Sequence, residues 1–167
     1  MADKWEGHTV YTLFGHLELV NVTVGRPVNP GDVIGMVGSS GVSLGPHLHF
    51  EVRQDDPYRY DSVRNPELWY RPYAGRGVLA GRVVNASGFF IPGTQVNLDC
   101  SDGTTPYVET YWDQYTVPDD ILAENFAISD LPTGTCRVWA ELAGELVEQF
   151  IEIRAGELSG VMLQERP

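Results

Sequence analysis

Hydrophobic positions in this chain alternate with polar ones over short stretches and almost nowhere follow the three-to-four-residue spacing of an amphipathic helix. The runs HTVYTLFGHLELV, DVIGMVG, HLHFEV, GVLAGRVV, TQVNLDC, NFAISDL, TCRVWAEL and EQFIEI read as strands. Turn formers break them at short intervals, at NPG, SSG, SDG and PTG. Two single helical turns are predicted. One is NPELWY, where Pro66 after Asn65 suits a first helical position, and the other is PDDILAE. Val96/Leu98/Cys100 and Val138/Ala140/Leu142 alternate as half-buried strands of a sandwich do. The pattern changes near RPYAGRG, residues 71–77. All four histidines lie before it, and strand–turn–strand patterns without histidine follow. The expectation is an all-β chain of two domains, residues 1–72 and 77–167.

Composition narrows the partners. With 167 residues, 43% apolar and 20% charged, the chain can build two small cores. No run approaches the ~20 apolar residues of a membrane-spanning helix, so no membrane span is expected. MADKWEGH has no basic region followed by an apolar run, so no signal peptide is expected. Net charge is −12, concentrated in residues 76–167, which hold 14 acids and 5 bases against 9 and 6 in residues 1–75. Such a surface repels a phosphate backbone, which argues against nucleic acid as a partner. The two cysteines, Cys100 and Cys136, border strand-like runs. A disulfide between neighbouring strands and a pair of buried thiols are both open readings.

The candidate chemistry lies in GPHLHFEVR, residues 45–53. In an extended strand His47 and His49 share one face, and Leu48 and Phe50 share the other. Glycines at 35, 38, 41 and 45 let backbone approach backbone or leave a groove for an extended ligand. His16 ends another β-rich run, so three histidines converge if the two strands lie side by side. Imidazole serves as a zinc ligand or as an acid–base group near neutral pH.

YTLFGHLE, VGRPVNPGDVIGMVGSSGVSLGPHLHFEVR and NPELWY together resemble the C-terminal part of a lysostaphin-type zinc endopeptidase domain, over roughly residues 7–70. That family cleaves peptides of bacterial peptidoglycan with a small antiparallel β core and a long groove. The resemblance implies that His49 is a zinc ligand and that His47 and His16 work with the catalytic water and the transition state. It also implies zinc as cofactor, a peptidoglycan peptide as partner, and an extracellular or cell-surface bacterial setting. The family draws its other two zinc ligands from an earlier His-x-x-x-Asp motif, which this chain lacks. His8 is followed four residues later by Thr12. Asp3, Glu6 and His8 are the remaining candidates. The expectation is therefore a partial peptidase core, inactive by itself, that is either a fragment of an endopeptidase or a non-catalytic cell-wall binding module. Open sheet edges in such a core invite a second copy.

GRVVNASGFFIPGTQVNL, NFAISDLPTGTCRVWAE and IEIRAGELSGVMLQ resemble the carboxypeptidase-regulatory-like β-sandwich family, related in shape to transthyretin, over roughly residues 77–164. The resemblance implies a non-catalytic module. Cys136 stands where that family usually has tyrosine. Tyr107, Tyr111, Trp112 and Tyr115 either stack on sugar rings or cover the core or a seam between the domains.

Overall fold

The computed structural model describes residues 1–112 and 116–167. Strands make up 49% of the chain, and among the described residues the helical segments are two three-residue 3-10 turns. The chain divides into two compact units, Met1–Pro57 and Tyr58–Pro167.

In the first unit, β1 (Ala2–Trp5) and β2 (His8–Gly15) form a hairpin closed by Glu6 and Gly7. Both turn residues have positive φ (48° and 91°), as in the two-residue turns whose twist matches that of paired strands. β3 (Leu17–Val20) pairs with β4 (Gly35–Val37) in a separate two-stranded ribbon. β5 (His49–Gln54) returns antiparallel to β2, in a register from Val10 opposite Gln54 to Gly15 opposite His49. Residues directly opposite share a face, so Phe14, Phe50 and Val52 lie together on one side of this pair. The rings of Phe14 and Phe50 meet edge to face with centroids 5.1 Å apart. Val10 and Val52 are the buried apolar side chains of this unit, while Leu19, Val20, Met36, Val37 and Leu48 are all about half exposed or more. Two valines are a very small core for 57 residues.

The second unit holds the larger core. It begins with a 3-10 turn at Tyr60–Ser62, the short strand β6 (Val63–Arg64) and a 3-10 turn at Pro66–Leu68. The Asn65 side chain caps that second turn by accepting from the Glu67 amide at 2.9 Å, as NPELWY predicts. β7 (Arg76–Val84) is central in one sheet, antiparallel to β10 (Phe126–Pro132) and parallel to β13 (Leu158–Gln164). A second sheet runs in the order β12 (Glu145–Ile153), β11 (Gly134–Leu142), β8 (Gln95–Cys100), β9 (Tyr107–Glu109). Leu79, Val83, Phe126, Leu131 and Leu163 from the first sheet join Val96, Leu98, Val138, Ala140 and Ile153 from the second in one buried cluster. The predicted alternation holds here: Val96, Leu98, Cys100, Val138, Ala140 and Leu142 all point inward. Cys100 and Cys136 face one another across β8 and β11 and form a disulfide, so the thiol reading falls. PDDILAE makes a single hydrogen-bonded turn. The Asp119 carboxylate accepts from the amides of Ile121 and Leu122, and Ala123 donates back to the Asp119 carbonyl.

Glu124 is buried beside that turn, where its carboxylate accepts from the Tyr111 hydroxyl at 2.8 Å and from the Asp119 amide at 3.0 Å. Tyr111 is thereby committed to the interior contact, whereas Tyr107 and Trp112 are exposed; Tyr115 lies outside the described residues. Burial pushes the Glu124 pKa up more than these hydrogen bonds draw it down. A carboxyl raised in the folded state favours folding while it is protonated, and that contribution fades as pH rises through its folded pKa. A glutamine side chain at this position would present the hydrogen-bonding groups of the protonated acid at every pH. Glu124→Gln is therefore expected to match the wild-type unit in urea midpoint below about pH 4 and to exceed it at pH 7. Parallel midpoints across that range would show that Glu124 ionises without cost.

Candidate active site

Three features of the chain build one histidine cluster. First, the register of β2 against β5 sets Gly15 opposite His49. A side chain at Gly15 would begin 3.1 Å from the His49 Cβ, so glycine leaves room for the ring. Second, His16 follows Gly15 in the left-handed backbone region, with φ 59°, a conformation uncommon outside glycine but less so for histidine. Third, the His47 amide donates a hydrogen bond of 3.1 Å to the carbonyl of Gly38, the residue after β4, which ties His47 to the ribbon of β3 and β4. The His16 ring centroid then lies 4.7 Å from that of His47 and 5.6 Å from that of His49. β5 begins only at His49, and His47 takes part as an isolated bridge, yet both rings meet His16.

Hydrogen bonds define which nitrogen of each ring carries a proton. His16 Nδ1 lies 2.7 Å from the Ser40 carbonyl, and His47 Nδ1 lies 2.9 Å from the Gly45 carbonyl. A carbonyl only accepts, so both rings hold a proton on Nδ1, and in the neutral imidazole Nε2 then presents a lone pair. Ser43 Oγ, 3.3 Å from His47 Nδ1, shares that proton. His49 is arranged the other way round, with Nε2 2.6 Å from a Glu51 carboxylate oxygen. The second Glu51 oxygen accepts from Arg53 Nε at 2.6 Å, and Arg53 Nη1 donates to the Pro57 carbonyl at 2.7 Å. Burial raises the Glu51 pKa, but the hydrogen bonds and charges of Arg53 and His49 outweigh it and hold the carboxyl below its ordinary range. Glu51 and Arg53 were not among the predicted site residues. The signal was present, since positions 49, 51 and 53 share the strand face of His47 by simple alternation.

His8 lies at the other end of β2, with Nδ1 2.7 Å from Asp55. It is seven residues from Gly15, or about 24 Å at strand rise. Asp3 and Glu6 share that far end through the β1–β2 hairpin. None of the three reaches His49. Among the described residues no group of three or more histidine, cysteine, aspartate or glutamate side chains is placed to hold a metal. His49 alone does not supply the three protein ligands of a catalytic zinc, so these residues do not fit a complete zinc site.

The site is thus a cluster of three imidazoles on the face of a small antiparallel sheet, beside the ribbon of β3 and β4. Residues 4–61 match Peptidase family M23, and this segment is similar to lysostaphin-type endopeptidases. The DD-carboxypeptidase/endopeptidase Mpg of Neisseria meningitidis is 52% identical over 44 residues, covering 26% of this chain and 10% of that protein. Lysostaphin of Staphylococcus simulans is 38% identical over 68 residues, covering 41% of this chain and 13% of that protein. The glycyl-glycine endopeptidase ALE-1 of Staphylococcus capitis is 35% identical over 74 residues, 44% of this chain and 20% of that protein. The matched segment thus spans a fifth or less of each of these relatives. Among solved structures, the Bacillus anthracis TIE protein aligns over 95% of this chain and 25% of that one, with TM-score 0.38 and 13% identity, a likeness too weak to define a shared fold.

Proposed function

We propose that this chain carries the proton-handling half of a peptidoglycan endopeptidase site and does not hydrolyse peptides by itself. The convergence of His16, His47 and His49 with their protons placed carries this reading. Lone pairs on Nε2 of His16 and His47 suit them to take a proton from an attacking water and return it to a leaving amine. Among the described residues, His49 is the metal ligand this reading assigns. The names of the relatives support a cell-wall peptide as substrate, since one is a glycyl-glycine endopeptidase and another a DD-carboxypeptidase/endopeptidase.

In this reading a second polypeptide segment supplies the remaining ligands and covers the half-exposed side chains around β3 and β4. A second copy pairing along the exposed edge strand β1 is the alternative cover. The disulfide supports an oxidising, extracellular or cell-surface setting. Residues 77–167 serve as a non-catalytic sandwich module of the carboxypeptidase-regulatory-like kind, with the domain boundary near residues 72–77. The absence of a three-ligand group among the described residues favours one further reading, a binding module that keeps the peptidase groove without turnover.

Zinc titration of the chain, with a pentaglycine cleavage assay, tests the proposal. The expected result is less than one zinc per chain after dialysis, weakened further by His49→Ala, and no cleavage. Cleavage should then arise on adding a polypeptide that bears a His-x-x-x-Asp segment. One tightly held zinc per chain with cleavage by the chain alone would overturn it. Retention on purified peptidoglycan with no cleavage under any complementation would favour the binding module.

A further inference from the structure

The three rings of the cluster are oriented by two different devices. Backbone carbonyls hold His16 and His47, so no side-chain replacement at the acceptor can reverse them. A side chain holds His49. We propose that Glu51 is a positioning residue, locked by Arg53, that keeps the His49 proton on Nε2 and leaves Nδ1 as its electron-pair donor.

The geometry is specific. An ionised carboxylate only accepts, so the contact of 2.6 Å between His49 Nε2 and Glu51 requires the proton on the imidazole nitrogen. The other carboxylate oxygen is engaged by Arg53, whose Nε can only donate. Arg53 is itself buried and donates to the Pro57 carbonyl, so the guanidinium is anchored to backbone. Carboxylate–histidine pairs of this kind orient metal-binding imidazoles and raise their basicity. Strand alternation brings all three residues to one face, and β2 fixes that face beside His16.

Glu51→Gln turns the arrangement into a switch. The glutamine amide has one accepting oxygen and one donating NH₂ group. Arg53 needs the acceptor, which leaves the amide N–H pointing at His49 Nε2. That nitrogen must then become an acceptor, and its proton moves to Nδ1. The change is nearly isosteric, so the strand pair is expected to remain folded.

The test is ¹⁵N-edited long-range NMR of the ring nitrogens in the full chain, at a pH where the imidazoles are neutral and without metal. In the wild type His49 should show a protonated Nε2 and an unprotonated Nδ1, opposite to His16 and His47. In Glu51→Gln the His49 pattern should invert while the other two stay as they were. Glu51→Ala should leave His49 exchanging between both forms. A wild-type His49 protonated on Nδ1 would overturn the proposal even if no variant folds, and so would an unchanged His49 in Glu51→Gln. This inference rests on the proposed role of His49, but its readout needs neither zinc nor turnover. A chain that fails the zinc and cleavage tests can still pass this one, which separates the two failures.

Discussion

Replacing Cys100 and Cys136 together by alanine is expected to lower the stability of the second unit by about 4 kcal/mol, the loop-closure value for a cross-link of this span. The two cysteines are 36 residues apart in sequence and directly opposite in β8 and β11, so the bond ties the middle of one sheet across a long excursion of chain. Reduction of the wild-type protein should approach the same loss, without the extra cost of the small cavities that alanine leaves. Urea denaturation followed by tryptophan fluorescence, with and without reductant, measures it. Trp69, Trp112 and Trp139 all report on this unit. The first unit contains no cysteine and should be indifferent to reductant. An unchanged midpoint in reductant would mean that the core of Phe126, Leu79 and Val138 holds the sheets without the cross-link.

Gly38→Ala is expected to dismantle the histidine cluster from a distance. A Cβ at residue 38 would lie 2.6 Å from both the amide nitrogen and the Cβ of Glu18, a contact that the β3–β4 ribbon can relieve only by parting. Overpacking of this kind costs about 1–3 kcal/mol. The functional cost is larger, because the segment that leaves β4 serves the site. The Gly38 carbonyl accepts from the His47 amide, and two residues on the Ser40 carbonyl accepts from His16 Nδ1. Ser40 Oγ also donates to the Leu17 carbonyl, so the ribbon, His16 and His47 move together. Ring-nitrogen NMR should show His16 and His47 losing their single tautomer while His49, held by Glu51, keeps its own. Unaltered His16 and His47 signals in a folded Gly38→Ala protein would show that the ribbon does not orient them.

How much of this was legible beforehand depends on the distance over which each feature is decided. Period-two alternation is a property of consecutive residues, so the all-β class and the shared face of His47 and His49 could be read directly. So could the inward set Val96, Leu98, Val138 and Ala140. Asn65 and Pro66 announced the turn at NPELWY for the same reason. PDDILAE stops at one turn because Asp119 caps its start and Ala123, with φ 48°, turns the chain out of the helical region at its end. The aromatic stretch was divided by a contact with Glu124, thirteen residues after Tyr111, which no local pattern displays.

Taken by itself, the sequence determined that strands would form, which side chains would alternate across them, and that GPHLHFEVR belongs to a peptidase-like segment. Register, pairing and backbone handedness were decided only by tertiary structure. The backbone at His16 is left-handed, while Gly15 opposite His49, the Ser40 carbonyl on His16 and the pairing of Cys100 with Cys136 each join residues far apart in the chain. Such contacts follow from which strand lies beside which. That choice is made by burying the few apolar faces available, a sum over the whole chain rather than a property of any one stretch of it.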